Sequence, residues 1–198
     1  MRPSEKVQAA LDSLGMNIHV IEFSESTATA EQAAAVAGCE LGAIVKSLLF
    51  LIDGIPMLVL VAGDRMADQR KLAAHFGVGK KRVRLADPET VRKITGYDVG
   101  GVPPLGHDVR LPVLIDESLR RFDTVWAAAG TNNAVFPVLF PRLVEICWRT
   151  GSDPGKLKHS PQIPFGDPYK IRLTCALWPC FSFQYSEKGT TKSRQAQI

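Results

Sequence analysis

Two apolar runs, AIVKSLLFLI at residues 43–52 and PMLVLVA at residues 56–62, flank the dipeptide Asp53-Gly54, and this arrangement leaves the chain few folds. Asp-Gly between two such runs is a strong hairpin signal, because the tight turn that matches strand twist needs positive φ at both central residues. Strands this uniformly apolar must be covered on both faces. The rest of the sequence therefore has to supply helices for two sides of a sheet.

It does so. Over residues 4–14, Val7, Ala10, Leu11 and Leu14 share one helical face, with Ser4 as the expected N-cap and Gly15 as the stop. NIHVIEF, residues 17–23, alternates with β-branched enrichment and predicts a strand. Thr29 caps an alanine-rich helix over 31–37 that ends at Gly38. A helix over 64–76 is expected to turn Met66, Leu72, Ala73 and Phe76 inward and to close at Gly77; a short strand at 82–85 and a helix opened by Pro88 follow. Strands are predicted at 112–115, 124–128 and 134–139, and a helix at 141–147. With no regular βαβ repeat, the pattern implies an α+β domain with a curved, mixed, largely antiparallel and barrel-like sheet flanked by helices.

Of the 198 residues, 1–150 form this single domain, and 151–198 read as an appended tail. Residues 151–170 carry four prolines and three glycines without periodicity; a flexible tail is expected there, with a packed hairpin as the alternative. No apolar run reaches the roughly 18–20 residues that span a bilayer, and the start is amphipathic rather than a signal peptide, so a cytoplasmic protein is expected. Cys39, Cys147, Cys175 and Cys180 lack the spacing of a zinc site or a disulfide framework and read as buried thiols. The net charge of +4 lies entirely in the tail, since 17 basic and 17 acidic residues balance over 1–150. That balance disfavours a binder of long duplex DNA, although Lys80, Lys81, Arg82 and Arg84 form a local basic patch.

Lys46 interrupts the first apolar strand. Its stem either snorkels to water, or the ammonium projects into a cleft to meet a phosphate or a carbonyl. In GGVPPLGH, residues 100–107, two glycines that can approach a ligand closely precede two prolines that cannot move. This is either a structural turn or a set of preorganised amides suited to an oxyanion. The loop AAAGTNN, residues 127–133, is either tightly packed or the floor of a small pocket, and Asn132-Asn133 suits an ordinary turn as well. His107 lacks an evident nucleophile partner and reads as a support residue. No phosphate-loop, nucleophile-elbow or zinc-helix motif occurs.

Taken in order, AIVKSLLF, LIDGIPMLVLVAGD, GYDVGGVPPLGH and VWAAAGTNNAVFPV resemble the YbaK-type aminoacyl-tRNA deacylases, which are similar to the editing domain inserted in bacterial prolyl-tRNA synthetases. The resemblance covers roughly residues 4–147. It implies hydrolysis of the ester of a mischarged tRNA, Cys- or Ala-tRNA(Pro), with no metal or other cofactor. The partner it implies is the acceptor CCA end of an aminoacyl-tRNA, with an aminoacyl-tRNA synthetase as a second partner. It assigns catalysis to Lys46, Gly100 and Gly101, the loop amides meeting the ester carbonyl while the terminal ribose hydroxyl assists the attacking water. Substrate contacts are implied for Phe23, Val102, Pro104, His107, Ala128, Gly130, Asn132 and Asn133. Relatives carry Ser-Ala-Gly where this chain has Ala128-Ala129-Gly130, so a hydroxyl is absent from that position and cysteine-versus-alanine specificity stays open. The alternative reading is a non-catalytic module of the same fold that binds a tRNA end, a nucleotide or a protein.

Overall fold

The computed structural model describes residues 1–151; the tail expectations fall on 152–198 and lie outside the described residues. Helix α1 (Pro3–Ser13) leads to a two-residue strand β1 (Ile21–Glu22), and α2 (Ala30–Ala37) leads through a 3₁₀ turn to the hairpin β2 (Ile44–Ile52) and β3 (Ile55–Ala62). Then come α3 (Gln69–Phe76), β4 (Val83–Leu85), α4 (Pro88–Thr95), β5 (Val113–Ile115), β6 (Thr124–Ala128), β7 (Ala134–Leu139) and α5 (Phe140–Thr150). The sheet runs β1-β7-β6-β2-β3-β5, and β4 also pairs with β2. The β2–β6 and β3–β5 pairs are parallel and the others antiparallel. The α+β class and the mixed sheet match expectation; the sheet stays open, since β1 and β5 end it rather than pairing to close a barrel.

Asp53 and Gly54 both adopt positive φ, 53° and 81°, and β2 pairs with the whole of β3 from Val45↔Ala62 to Ile52↔Ile55. Side chains alternate across β2. Val45 and Leu49 join the larger core with α1, β6, β7 and α5. Phe50 and Ile52 join a second core with Leu72, Ala73 and Phe76 of α3. Ile44 and Trp126 instead pack against Ala33 and Ala34 of α2.

Three local expectations are corrected. The strand predicted over 17–23 shrinks to β1 because Gln8 of α1 supplies the missing ladder: its Oε1 accepts from Val20 N at 2.8 Å, and its Nε2 donates to Ile18 O at 2.9 Å. Ser4 is not the cap of α1, which begins after Arg2; Ser4 is buried and its Oγ donates to Glu22 Oε1 at 2.6 Å, pinning α1 to β1. The third helix begins at Gln69 rather than at 64, because Asp68 accepts from Arg70 N at 2.7 Å, the role short acidic side chains favour at helix starts. Met66 then lies before the helix and is 91% exposed rather than inward. Thr29 caps α2 with Gln32 completing a capping box, and Asp87 caps α4 ahead of Pro88.

Candidate active site

The long strand β2 has one fully paired edge and one divided edge. On the divided side, β6 pairs only with Ile44 and Val45, and β4 only with Phe50 to Ile52. Lys46 lies in the gap between them. One step past the last β2–β6 pair, Val45↔Ala127, it stands beside Ala128, on the face to which Ile44 and Trp126 also point. Its Nζ donates to Gly63 O at 3.0 Å and to Arg65 O. An ammonium has three donors, of which two are engaged by backbone carbonyls and the third has no hydrogen-bond acceptor among the described residues. The lysine thus neither snorkels freely nor meets a carboxylate directly. Glu31, in the first turn of α2, is close enough for the Lys46 charge to help lower its pKa, after its own backbone amide and the Thr29 hydroxyl.

Two residues along the chain from Ala128, at Gly130, three distant segments form one junction. The first turn is closed by Gly101 N–H donating to Asp98 O at 3.0 Å, with Gly100 at φ 92°, where a side chain would be strained. A Cβ on Gly100 would lie 3.0 Å from Ala28 O, and one on Gly101 would lie 2.9 to 3.0 Å from three backbone atoms of Thr131. Gly130 N–H donates to Gly101 O at 2.9 Å, and Gly130, at φ 93°, sits so close to Pro3 that a Cβ would fall 2.7 Å from its carbonyl oxygen. The segment around Phe23 closes the triangle. Phe23 N–H donates to Asn133 O at 2.8 Å, Asn133 Nδ2 to Phe23 O at 3.0 Å, and Thr27 N–H to Asn132 O.

These contacts sort the candidate residues. Lys46 stands beside Ala128, Gly100 and Gly101 pack against Ala28 and Thr131, and Val102 and Pro104 are buried in the same loop. Gly101 cannot offer its N–H to a carbonyl, because the turn already uses it, and Pro103 and Pro104 have none to offer. Within residues 100–104, the N–H groups that engage no acceptor among the described residues are those of Gly100 and Val102. Asn132 and Asn133 act through their carbonyls and the Asn133 amide, holding the 23–27 segment in place. His107 turns away from the gap: its ring meets Tyr97 edge-on at 5.7 Å, and its Nδ1 faces Thr95 O at 3.4 Å. Burial pushes its pKa down, against the opposing pull of the Thr95 and Pro103 backbone. Tyr97 Oη donates to Gly106 O at 2.7 Å, so Tyr97 and His107 together brace the loop from within.

Sequence reasoning missed Glu31, whose proximity to Lys46 has no local signal, and Thr27. Thr27 Oγ1, Ser47 Oγ, His107 Nε2 and Ser118 Oγ are buried without a hydrogen-bond partner among the described residues, and the first three belong to the segments that carry the candidate residues. Such groups concentrate where a structure is organised for something other than stability alone. A separate cavity of about 120 Å³, bounded by Val59, Val61, Leu72, His75 and Leu114, is lined by none of the candidate residues. Among the described residues, no three His, Cys, Asp or Glu side chains come together as metal ligands, and no helix is long and apolar enough to cross a membrane.

A model of the aminoacyl-tRNA editing domain matches residues 24–146, which include the strand of Lys46, the Gly100 turn and the Gly130 turn. The chain belongs to this family. It is 40% identical over 129 residues to the uncharacterized protein YwhH of Bacillus subtilis, covering 64% of this chain and 79% of that one. It is 30% identical over 131 residues to the multifunctional Ser/Thr-tRNA deacylase ProXp-y of Escherichia coli K12, covering 64% of this chain and 77% of that one. Among solved structures, a candidate trans-editing enzyme for prolyl tRNA synthetase superposes with a TM-score of 0.70 at 38% identity, covering 77% of this chain and 96% of that one. The editing-domain match spans β2 to β7 and both turns, leaves β1 outside, and ends at Ile146 within α5.

Proposed function

We propose that this editing domain is an aminoacyl-tRNA deacylase that acts in trans on the ester of a small aminoacyl group, cysteinyl or alanyl, attached to proline tRNA. The observation that carries the reading is the junction itself. A glycine turn is held against Ala28 and Thr131 by contacts that exclude side chains, an ammonium is anchored in the gap of β2 beside Ala128, and we infer that the two bound one site. Family membership supports the reaction class, and the Ser/Thr-tRNA deacylase name of one relative supports ester hydrolysis on a charged tRNA.

In the proposed reaction water adds to the ester carbonyl, assisted by the neighbouring hydroxyl of the terminal ribose. The tetrahedral oxyanion is met by the N–H groups of Gly100 and Val102. The bond from carbonyl carbon to ribose oxygen then breaks, the ribose oxygen takes a proton, and free amino acid and uncharged tRNA leave. Lys46, with one donor unengaged, binds the terminal nucleotide or its phosphate. The role expected of Gly101 changes here: its missing side chain lets the turn pack against Thr131, while its neighbours donate. Ala128 and Gly130 bound the aminoacyl side, where small residues limit what fits.

The test is a panel of cysteinyl-, alanyl-, seryl- and threonyl-tRNA incubated with the protein, the release of free amino acid being followed over time. Cysteinyl- or alanyl-tRNA(Pro) should lose its ester faster than in buffer. Release confined to the seryl and threonyl esters would keep the deacylase and overturn the proposed specificity; tight binding of all four without release would favour the non-catalytic module.

A further inference from the structure

The cavity between α3 and the sheet lies on the same face as Lys46, one strand away. Val61 of β3 pairs directly with Lys46 and Val59 with Leu48, so both valines point to the face that carries the ammonium. They line the cavity together with Leu114 of β5, the partner of Val59, and with Leu72 of α3. Its volume of about 120 Å³ is the liquid share of about four water molecules at ~30 Å³ each, room for a chain of about four or five heavy atoms.

The mouth is charged, and unevenly. Asp68, Asp116 and Glu117 border it, against Lys71 and His75. Burial lowers the pKa of His75, so at neutral pH it adds no charge. Asp68 and Asp116 each cap a helical turn through Oδ1, which leaves their negative charge in place. Arg121, whose guanidinium also feels Asp116, is committed to Asp64 at 2.7 and 2.9 Å. An apolar pocket is thus bordered by three carboxylates and one ammonium. A short aliphatic chain with a cationic end suits both parts, the walls burying the chain and the carboxylates holding the cation. An anion of the same shape meets like charge.

One wall of the cavity is continuous with the anchor of Lys46. The turn after β3 presents the carbonyls of Gly63 and Arg65 to the ammonium, and its next residues, Met66 and Ala67, line the cavity. Asp64, within that turn, ties it through Arg121 to the 3₁₀ turn Glu117–Arg121, which carries Glu117 to the mouth. A ligand held here touches both sides of the clamp that fixes the two carbonyls.

We propose that this cavity binds a small aliphatic primary amine of about three or four carbons, and that its occupancy is coupled to the anchoring of Lys46. Neither half depends on deacylation.

The test is an NMR titration of the full chain with n-butylamine, with butan-1-ol and butyrate as neutral and anionic probes of the same length. The amine should shift the amides of residues 66–75 and 114–117 saturably, with a Kd on the order of millimolar, as suits a ligand of so few atoms. The alcohol should bind about two- to fivefold more weakly, and butyrate should not saturate. Glu117→Gln should lose about two- to fivefold in affinity for the amine and nothing for the alcohol. Ala67→Phe, which puts a ring into the cavity, should abolish binding of both, thermal unfolding confirming that each variant folds. Lys46→Met removes the donor that holds the two carbonyls and should weaken the amine about fivefold, the low end of ordinary coupling between sites. Shifts spread over the surface without saturation, or equal affinity for amine and alcohol, would overturn the site. Equal amine affinity in the parent and Lys46→Met would overturn the coupling. No arm measures ester hydrolysis, so failure of the deacylase reading and failure of this one are told apart.

Discussion

Gly101→Ala isolates the close approach on which the junction depends. The residue does not adopt positive φ, so the substitution carries no dihedral penalty, and its whole effect is steric. The new methyl would lie 2.9 to 3.0 Å from the N, Cα and C of Thr131. Real Cβ contacts do not come this close, and a backbone cannot swing aside as a side-chain end can. Either the Asp98–Gly101 turn or the Thr131 turn must move by several tenths of an ångström, straining the 2.9 Å hydrogen bond from Gly130 N to Gly101 O. Overpacking of this kind costs about 1 to 3 kcal/mol, which for a domain of this size lowers Tm by roughly 2–12 °C. Activity should fall further than stability, because Gly100 and Val102 ride on the displaced turn. Gly79→Ala is the control: that glycine has ordinary φ and open space around its Cβ position, and it should unfold and react like the parent. Thermal unfolding and tRNA deacylation, measured on all three proteins, decide the matter. A Gly101→Ala protein with parental Tm and parental rate would refute the tight packing of the two turns.

Asn133→Ala removes the amide that donates to Phe23 O and accepts from Thr131 Oγ1 at 2.8 Å; a loss of about 1 to 3 kcal/mol is expected in chemical denaturation, with a larger relative loss of deacylation as the 23–27 segment detaches. His107 titrates near 6.5 when unfolded and lower when folded. The unfolded chain therefore binds more protons between those two values, and stability should fall as pH drops below about 7. His107→Gln should flatten that decline between pH 7.5 and 5.5 without abolishing it, because burial also lowers His75; equal declines in both proteins would contradict the assignment. Burial pushes the Cys147 thiol up to about 12, so it should resist alkylation of the native protein at neutral pH and react only on unfolding, as mass spectrometry of the peptide containing it would show.

The parts of the fold legible in sequence are those fixed by neighbours in the chain. Asp53-Gly54 dictates its own turn, Thr29 and Gln32 build their own cap, and the apolar runs of β2 and β3 announce a covered sheet. What was not legible depends on partners far along the chain. Gln8 standing in for a strand shortens β1, and no pattern within residues 17–23 reveals it. Asp68, a better cap than Asp64, moves the start of α3 past Met66. The site follows the same division. Lys46 and the glycine loop stand out because an ammonium in an apolar strand and paired glycines before prolines are locally costly or unusual. The carbonyls that hold Lys46 and the pinning of Phe23 by Asn133 arise only when segments up to 110 residues apart meet.

The most direct measurement is the rate of ester hydrolysis by Lys46→Ala, under single-turnover conditions, on the aminoacyl-tRNA that the parent cleaves best. Removing the ammonium leaves the Gly63 and Arg65 carbonyls without their donor and the terminal nucleotide without its positive contact. The rate should fall on the order of 100-fold, the scale of losing one electrostatic group at such a site, while the protein still unfolds cooperatively. Hydrolysis at the parental rate by a folded Lys46→Ala protein would contradict placement of the reaction in the gap of β2.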